Sequence, residues 1–379
     1  MYRIRGYKIA IALAVVVAML LVTLYEAQRH SVGGFSIRNI TLPYPHLLTQ
    51  NEERANATIL VLVRNSELKG MLDSMRSLER SWNHQFHYPW MFVNDEAFTP
   101  DFMAKTQAAT ESLCSYETIP AHHWEVPAHI DKVVMDASFE RMTSEGVRYA
   151  RSLSYRQMCR WYSGSFYKLP ALQQYRYYWR VEPGVEFFCM IDYDVFKFMQ
   201  QHNKTYGFTI AVREKPASIE TLWPVTLDFA SANPEMIAED NAMPFLLHNS
   251  SSKGNDTVGN TYNTCHFWSN FEIGDMDFWR SEAYEAYFAH LDHAGGFFYE
   301  RWGDAPVHTI GAALLQSADR IHYFHDIGYH HPPYRNCPDS SNCAGCVPGQ
   351  FSDVSPHLDG ANCKPFWLEH FPTATAQPG

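Results

Sequence analysis

The sequence predicts an α/β fold that opens with a Rossmann-like βαβ unit, and three observations carry that prediction. Residues 58–63 form a near-continuous apolar run, which suits a strand buried on both faces. Leu68, Met71, Leu72, Met75 and Leu78 then recur on one face of a helical pattern, with Ser66 as its cap. Trp90, Met91, Phe92 and Val93 supply a second strand, followed by Asn94, Asp95 and Glu96. In such a unit ligands sit beyond the carboxyl ends of the strands, where Arg64, Asn65, Asp95 and Glu96 fall. No G-x-G-x-x-G follows the first strand and no G-x-x-x-x-G-K-S/T occurs. Dinucleotide and P-loop readings therefore lose their main support.

The next informative element is residues 175–194, YRYYWRVEPGVEFFCMIDYD. Residues 175–181 are aromatic and β-prone, and residues 187–191 resume the apolar run. Between them Glu182, Pro183, Gly184 and Val185 have Pro and Gly at the centre of a type II turn. The reading is two short strands joined by that turn, with Glu182 where the first strand ends. Two carboxylate sets then compete for a divalent metal at the sheet edge. Pattern alone favours Asp192-Tyr193-Asp194, a D-x-D after an apolar strand, although Asp194 also stands where it would cap a following helix. Glu182 is the alternative.

With 379 residues and 46% hydrophobic content, the chain can bury one large core or two medium ones. A net charge of −11 without any Lys/Arg block argues against nucleic acid. The aromatic share, 15%, suits a carbohydrate-handling cleft, although ordinary packing accounts for most of it. After Arg3, Arg5 and Lys8 comes an uncharged apolar run, residues 9–25. At about 1.5 Å per residue it nearly spans a hydrocarbon core of about 30 Å, so it reads as a transmembrane signal-anchor. Basic residues precede it and Glu26 follows, which leaves residues 1–8 cytosolic and the rest lumenal. Residues 26–52 read as a stem, 53–372 as the folded domain and 373–379 as a disordered tail. Sequons at Asn39, Asn56, Asn203, Asn249 and Asn255 fit a lumenal domain. Four of the eight cysteines, Cys337, Cys343, Cys346 and Cys363, crowd together near the C-terminus in a spacing like a loose zinc ribbon. A lumenal compartment favours disulfides, whose pairing the sequence leaves open.

Three further segments carry chemistry. Glu272 lies between Phe271 and Ile273, an apolar setting in which a carboxylate needs a partner or carries a raised pKa; the structural reading is a salt-bridged glutamate. Glu300, Arg301 and Asp304 stand among aromatics beside Gly303 and Pro306, a pattern that reads as a rigid loop. Residues 321–334 gather four histidines, with His331 fixed in an extended segment by the prolines that follow. No G-x-S-x-G or Ser-His-Asp spacing supports an acyl-transfer hydrolase.

The segments ILVLVRNSEL, SYRQMCRWYSGSFYKLPAL, YYWRVEPGVEFFCMIDYDVF, CHFWSNFEIGDMDFWR, FFYERWGDAPVHTIGAALL and HDIGYHHPPY, in order over residues 54–338, resemble the fungal α-1,2-mannosyltransferase family, glycosyltransferase family 15. The resemblance implies a GT-A type fold, a Rossmann-like nucleotide-binding half with a mixed central sheet, in a type II membrane protein of the Golgi. It implies retaining transfer of mannose from GDP-mannose to a mannosylated O-linked or N-linked glycan acceptor, with Mn²⁺ as cofactor. On this chain the metal ligands would be Glu182 and His331, with His330 as the alternative, because a histidine here replaces the usual aromatic. Glu272 would be the proposed nucleophile and Asp304 a required acid. Tyr155, Arg64 and Arg180 would serve the donor. The metal assignment thus moves from the D-x-D to Glu182. A family member without turnover, acting as a glycan-binding or scaffold protein, is the alternative.

Overall fold

The computed structural model describes residues 54–247, 261–354 and 356–372. The expected anchor, stem and tail, and the sequons at Asn39, Asn249 and Asn255, lie outside them. Among the described residues no helix is long and apolar enough to cross a membrane.

The βαβ opening forms as the apolar pattern requires. Strand β1 (Ala57–Leu62) leads through a short 3₁₀ turn at Asn65–Glu67 into helix α1 (Leu68–Leu78), and β2 (Trp90–Asn94) returns parallel to β1. The 3₁₀ turn takes the place expected for a Ser66 cap, and α1 begins two residues later. Helix α2 (Pro100–Gln107) then leads to β3 (Cys114–Thr118), parallel to β2.

Beyond them come α3 (Lys132–Ser144), α4 (Leu153–Gly164), β4 (Tyr177–Arg180), β5 (Glu186–Phe187), α5 (Val195–Gln201), β6 (Tyr206–Phe208), β7 (Ala211–Arg213) and α6 (Leu222–Ala232). The last part holds β8 (Cys265–Phe267), β9 (Glu272–Asp275), α7 (Glu282–Ala294), α8 (Asp304–Leu314), β10 (Ile321–Tyr323), β11 (Tyr329–His331), β12 (Tyr334–Asn336) and α9 (Lys364–His370). The central sheet has the order β10-β6-β9-β4-β1-β2-β3, and β9 runs antiparallel to both its neighbours. That is the mixed central sheet expected of a GT-A type fold.

Successive side chains of a strand point to opposite faces, and the core divides accordingly. Leu60, Met91 and Tyr178 enter one buried cluster; Ile59, Val61, Trp90 and Trp179 enter the other.

Two expectations about local structure are corrected. Strands β4 and β5 do not pair with each other: β4 lies between β1 and β9, whereas β5 joins β11 and β12 in a separate antiparallel sheet. The Glu182-Pro183-Gly184-Val185 turn, with Gly184 at φ 81°, carries the chain from one sheet to the other. The segment 297–308, expected as a rigid loop, is a loop only over residues 300–303: a short helical turn covers Gly296–Tyr299, and α8 begins at Asp304. Pro306 falls in its first turn, where the missing N–H costs nothing.

The zinc reading of the cysteines is also corrected. Cys189 pairs with Cys343, Cys265 with Cys363 and Cys337 with Cys346, which leaves all four clustered sulfurs bonded.

Candidate active site

The site assembles where the two sheets meet. Helix α1 docks on the turn through close backbone approach: Gly184 N–H donates to the Gly70 carbonyl at 3.0 Å, and Ser74 Oγ–H donates to the Glu182 carbonyl at 2.8 Å. In the small sheet His330 pairs with Glu186, so His331 comes level with the turn. Its Nε2 lies 3.5 Å from Glu182 Oε2. Alternation along β11 sends His330 the other way, to Asp353 at 3.1 Å. The geometry thus offers His331, and not His330, as partner to Glu182.

Behind this pair stands a buried quartet of charges. Arg180 and Glu272 are directly opposed on β4 and β9 and share one face of the sheet. Asp304 and His308 are four residues apart and share one face of α8. The two rows meet with opposite signs. Arg180 Nη1 bonds Asp304 Oδ2 at 2.5 Å, and His308 Nδ1 bonds Glu272 Oε2 at 2.9 Å. Arg180 Nη2 also reaches Glu182 Oε1 at 2.5 Å, and Ser269 Oγ–H donates to Asp304 at 2.7 Å. Tyr178 and Tyr206 donate their hydroxyls to Glu272 at 2.8 and 3.1 Å.

Each ionisation state follows from these contacts. Burial alone raises the Glu182 carboxyl, but the Arg180 guanidinium and then His331 outweigh it and lower it to about 2. Asp304 is likewise held below the usual carboxylate range, burial being offset by Arg180. For His308 burial lowers the imidazole and the Glu272 carboxylate more than restores it, leaving it raised. Its other nitrogen faces the Tyr162 carbonyl at 2.9 Å. Both ring nitrogens therefore address acceptors, as an imidazolium requires.

A cavity of about 320 Å³ opens beside this array, with Arg64, Asn94 and Asp95 at the ends of β1 and β2, and Tyr149, Tyr155 and Glu182 on its wall. The placement of Arg64, Tyr155 and Glu182 brings three expected residues to one hollow. Arg180 is not on that wall: it is 3% exposed and committed to two carboxylates. Its expected service to the donor gives way to the role of a strut. Glu272 is fully buried with three donors on its two oxygens, and it too is off the wall. The D-x-D is not part of the site. Asp194 caps α5 through the N–H groups of Phe196 and Lys197 and accepts from the Tyr88 hydroxyl, while Asp192 is exposed.

Sequence reasoning missed Tyr178, Tyr206, His308 and Tyr149. A signal existed for two. Tyr178 precedes Arg180 by two strand positions, and His308 follows Asp304 by one helical turn.

The residue pattern and this architecture have counterparts. A family model described as glycolipid 2-alpha-mannosyltransferase matches residues 25–371. The chain belongs to this family, glycosyltransferase family 15. Among curated family members, it is similar to probable mannosyltransferase KTR4 of Saccharomyces cerevisiae, 45% identical over 324 residues, covering 84% of this chain and 70% of that protein. It is also similar to O-glycoside alpha-1,2-mannosyltransferase omh1 of Schizosaccharomyces pombe, 41% identical, covering 92% of this chain and 86% of that protein. Its fold matches the crystal structure of core-mannan synthase A from Aspergillus fumigatus in a Mn/GDP form, with a TM-score of 0.82 and 52% identity. That match covers 84% of this chain and 85% of the other. Ktr4p of S. cerevisiae in complex with GDP matches with a TM-score of 0.81 and 45% identity, over 83% of this chain and 82% of that one. Among the described residues no group of three or more His, Cys, Asp or Glu could hold a metal by itself. One carboxylate beside one imidazole fits a divalent ion whose other ligands come from a diphosphate and water.

Proposed function

We propose that this chain is a Golgi α-1,2-mannosyltransferase, anchored through its apolar N-terminal segment, that transfers mannose from GDP-mannose with retention to α-mannoside acceptors of protein glycans. The observation that carries this reading is the meeting of Glu182 and His331 at 3.5 Å from two different sheets, beside a cavity at the nucleotide-binding ends of β1 and β2. In the Aspergillus structure a relative with 52% identity holds Mn and GDP.

Glu182 and His331 would hold Mn²⁺. When bound, the ion neutralises the diphosphate of the leaving GDP as the glycosidic bond breaks. The protein supplies the remainder. Arg180 and Ser269 fix Asp304 and, through Arg180, Glu182, so the metal-facing carboxylate stays ionised and oriented. Arg64 and Asn94 stand where a nucleotide would lie, and Tyr155 lines the same hollow.

Glu272 is the carboxylate available to answer the positive charge of an oxocarbenium-like transition state. Its oxygens are taken by Tyr178, Tyr206 and His308, which favours stabilisation of charge over attack on the anomeric carbon. A glycosyl-enzyme would require it to release those donors and reach within about 3–3.5 Å of that carbon.

The reading is tested by three variants. Glu182→Gln and His331→Ala should weaken GDP binding chiefly in the presence of Mn²⁺, whereas Glu272→Gln should abolish transfer while leaving GDP and Mn²⁺ binding nearly intact. Normal turnover by Glu272→Gln would remove that residue from the mechanism. The non-enzymatic alternative loses its footing because the proposed ligands and carboxylates are present and assembled. Failure to hydrolyse or transfer from GDP-mannose with Mn²⁺ would restore it.

A further inference from the structure

Tyr149 is left unused by the chemistry above, yet the fold goes to some length to hold it. It adopts φ 59°, the left-handed region that a bulky side chain enters only under constraint. The constraint is a buried cation. Arg156, with no exposed surface, donates from Nη1 to the carbonyls of Tyr149 at 3.3 Å and Ala150 at 2.5 Å, and from Nε to that of Glu300 at 3.1 Å. Ser152 N–H adds a bond to the Tyr149 carbonyl at 2.9 Å. A backbone over-determined in this way presents its side chain in one place.

What it presents is an aromatic ring on the wall of the cavity that Glu182 lines. The ring stacks on Tyr155, centroids 4.5 Å apart and planes at 17°, and still leaves 53% of the residue exposed. Its position along the cavity can be read from its neighbours. The Tyr155 hydroxyl accepts from Arg301 at 3.2 Å, so the stack leads toward the loop that precedes Asp304. Tyr149 thus shares one cavity wall with Tyr155 and Glu182.

We propose that Tyr149 is an acceptor-binding residue, its ring receiving the apolar face of a pyranose of the incoming α-mannoside. The proposal rests on the mannosyltransferase reading above. A donor held between strand ends and metal leaves the solvent side of the reacting centre to the acceptor, and a rigid, half-exposed aromatic there binds a sugar face with little loss of side-chain freedom. The other flat ligand of such a site is the guanine base, and the GDP dissociation constant separates the two occupants.

The experiment uses the full chain with GDP-mannose, Mn²⁺ and α-1,2-mannobiose. Tyr149→Asn and Tyr149→Gly remove the ring while tolerating the left-handed backbone. Both should raise acceptor KM about tenfold, the loss of one good stacking contact, while the dissociation constant for GDP with Mn²⁺ moves less than about twofold. Tyr149→Phe, which keeps the ring, should restore the wild-type acceptor KM. An equal loss of GDP affinity, or an unchanged acceptor KM in both ring-deletion variants, would overturn the proposal. If wild-type protein consumes GDP-mannose but takes no α-mannoside, the acceptor class is wrong and the mannosyltransferase reading falls instead.

Discussion

At the scale of single residues, the site is a problem in keeping charges where the low dielectric disfavours them. Arg180 and Asp304 are both nearly solvent-free, so removing one leaves the other unpaired. Arg180→Met should therefore cost about 3–5 kcal/mol of stability, read from urea unfolding; a loss below about 1 kcal/mol would mean the pair is not desolvated in solution. His308 supplies a pH prediction. Its groups in contact are Glu272 and the Tyr162 carbonyl, with Asp304 also adding charge, and together they hold the folded imidazole above its ordinary value. Unfolded histidine titrates near about 6.5. The stabilisation is thus fully present below that value and is lost as pH rises through the higher folded pKa. The unfolding free energy should fall over that alkaline window, and His308→Gln should flatten the fall. A wild-type profile as flat as the variant's would show that the imidazolium is not formed.

At the scale of elements, the position of Glu182 is set by how closely α1 approaches the turn. A Cβ at Gly70 would stand 3.3 Å from both the Gly184 nitrogen and the Pro183 Cβ. Gly70→Ala gains up to about 1 kcal/mol of helix propensity but pushes on the turn by a few tenths of an ångström. The two effects act on different observables. Thermal stability should change little, while Mn²⁺-dependent GDP affinity should fall severalfold because Glu182 moves relative to His331. Unchanged affinity would show that the turn absorbs the push. The meeting of β4, β9 and α8 works by the same logic, since strand register pairs Arg180 with Glu272 and helical pitch matches them to Asp304 and His308.

At the scale of the whole molecule, the C-terminal segment is sewn back onto the catalytic half. Cys265–Cys363 fixes the start of α9 beside β8 across 98 residues, and Cys189–Cys343 spans 154. Loops of this length restrict the unfolded chain strongly. Loss of either bridge, as in Cys363→Ser, should cost about 2–5 kcal/mol, and reductant should lower the melting temperature of the wild type. A non-reducing peptide map should return three bridges with Cys114 and Cys159 as thiols. A melting temperature insensitive to reductant would mean the bridges do not brace the fold.

The sequence alone determined the βαβ opening, because apolar runs and a helical stripe are local and their periods differ. It also placed Glu182 at a chain reversal and His331 in an extended segment, because Pro and Gly restrict backbone angles wherever they occur. It misplaced the partners. Strand β5 was assigned to the neighbour nearest in sequence, whereas hydrogen bonding gave it to β11, and Arg180 was read as a donor-binding group although Glu182 and the distant Asp304 both claim it. Asp194, which the sequence offered both as a metal ligand and as a helix cap, is the cap of α5. Tertiary structure alone decided which charges face one another and which aromatic is held open at the rim. Those outcomes depend on burial, cross-strand register and contacts between elements far apart in the chain, such as Arg180 with Asp304 and Glu182 with His331, which local patterns do not pair.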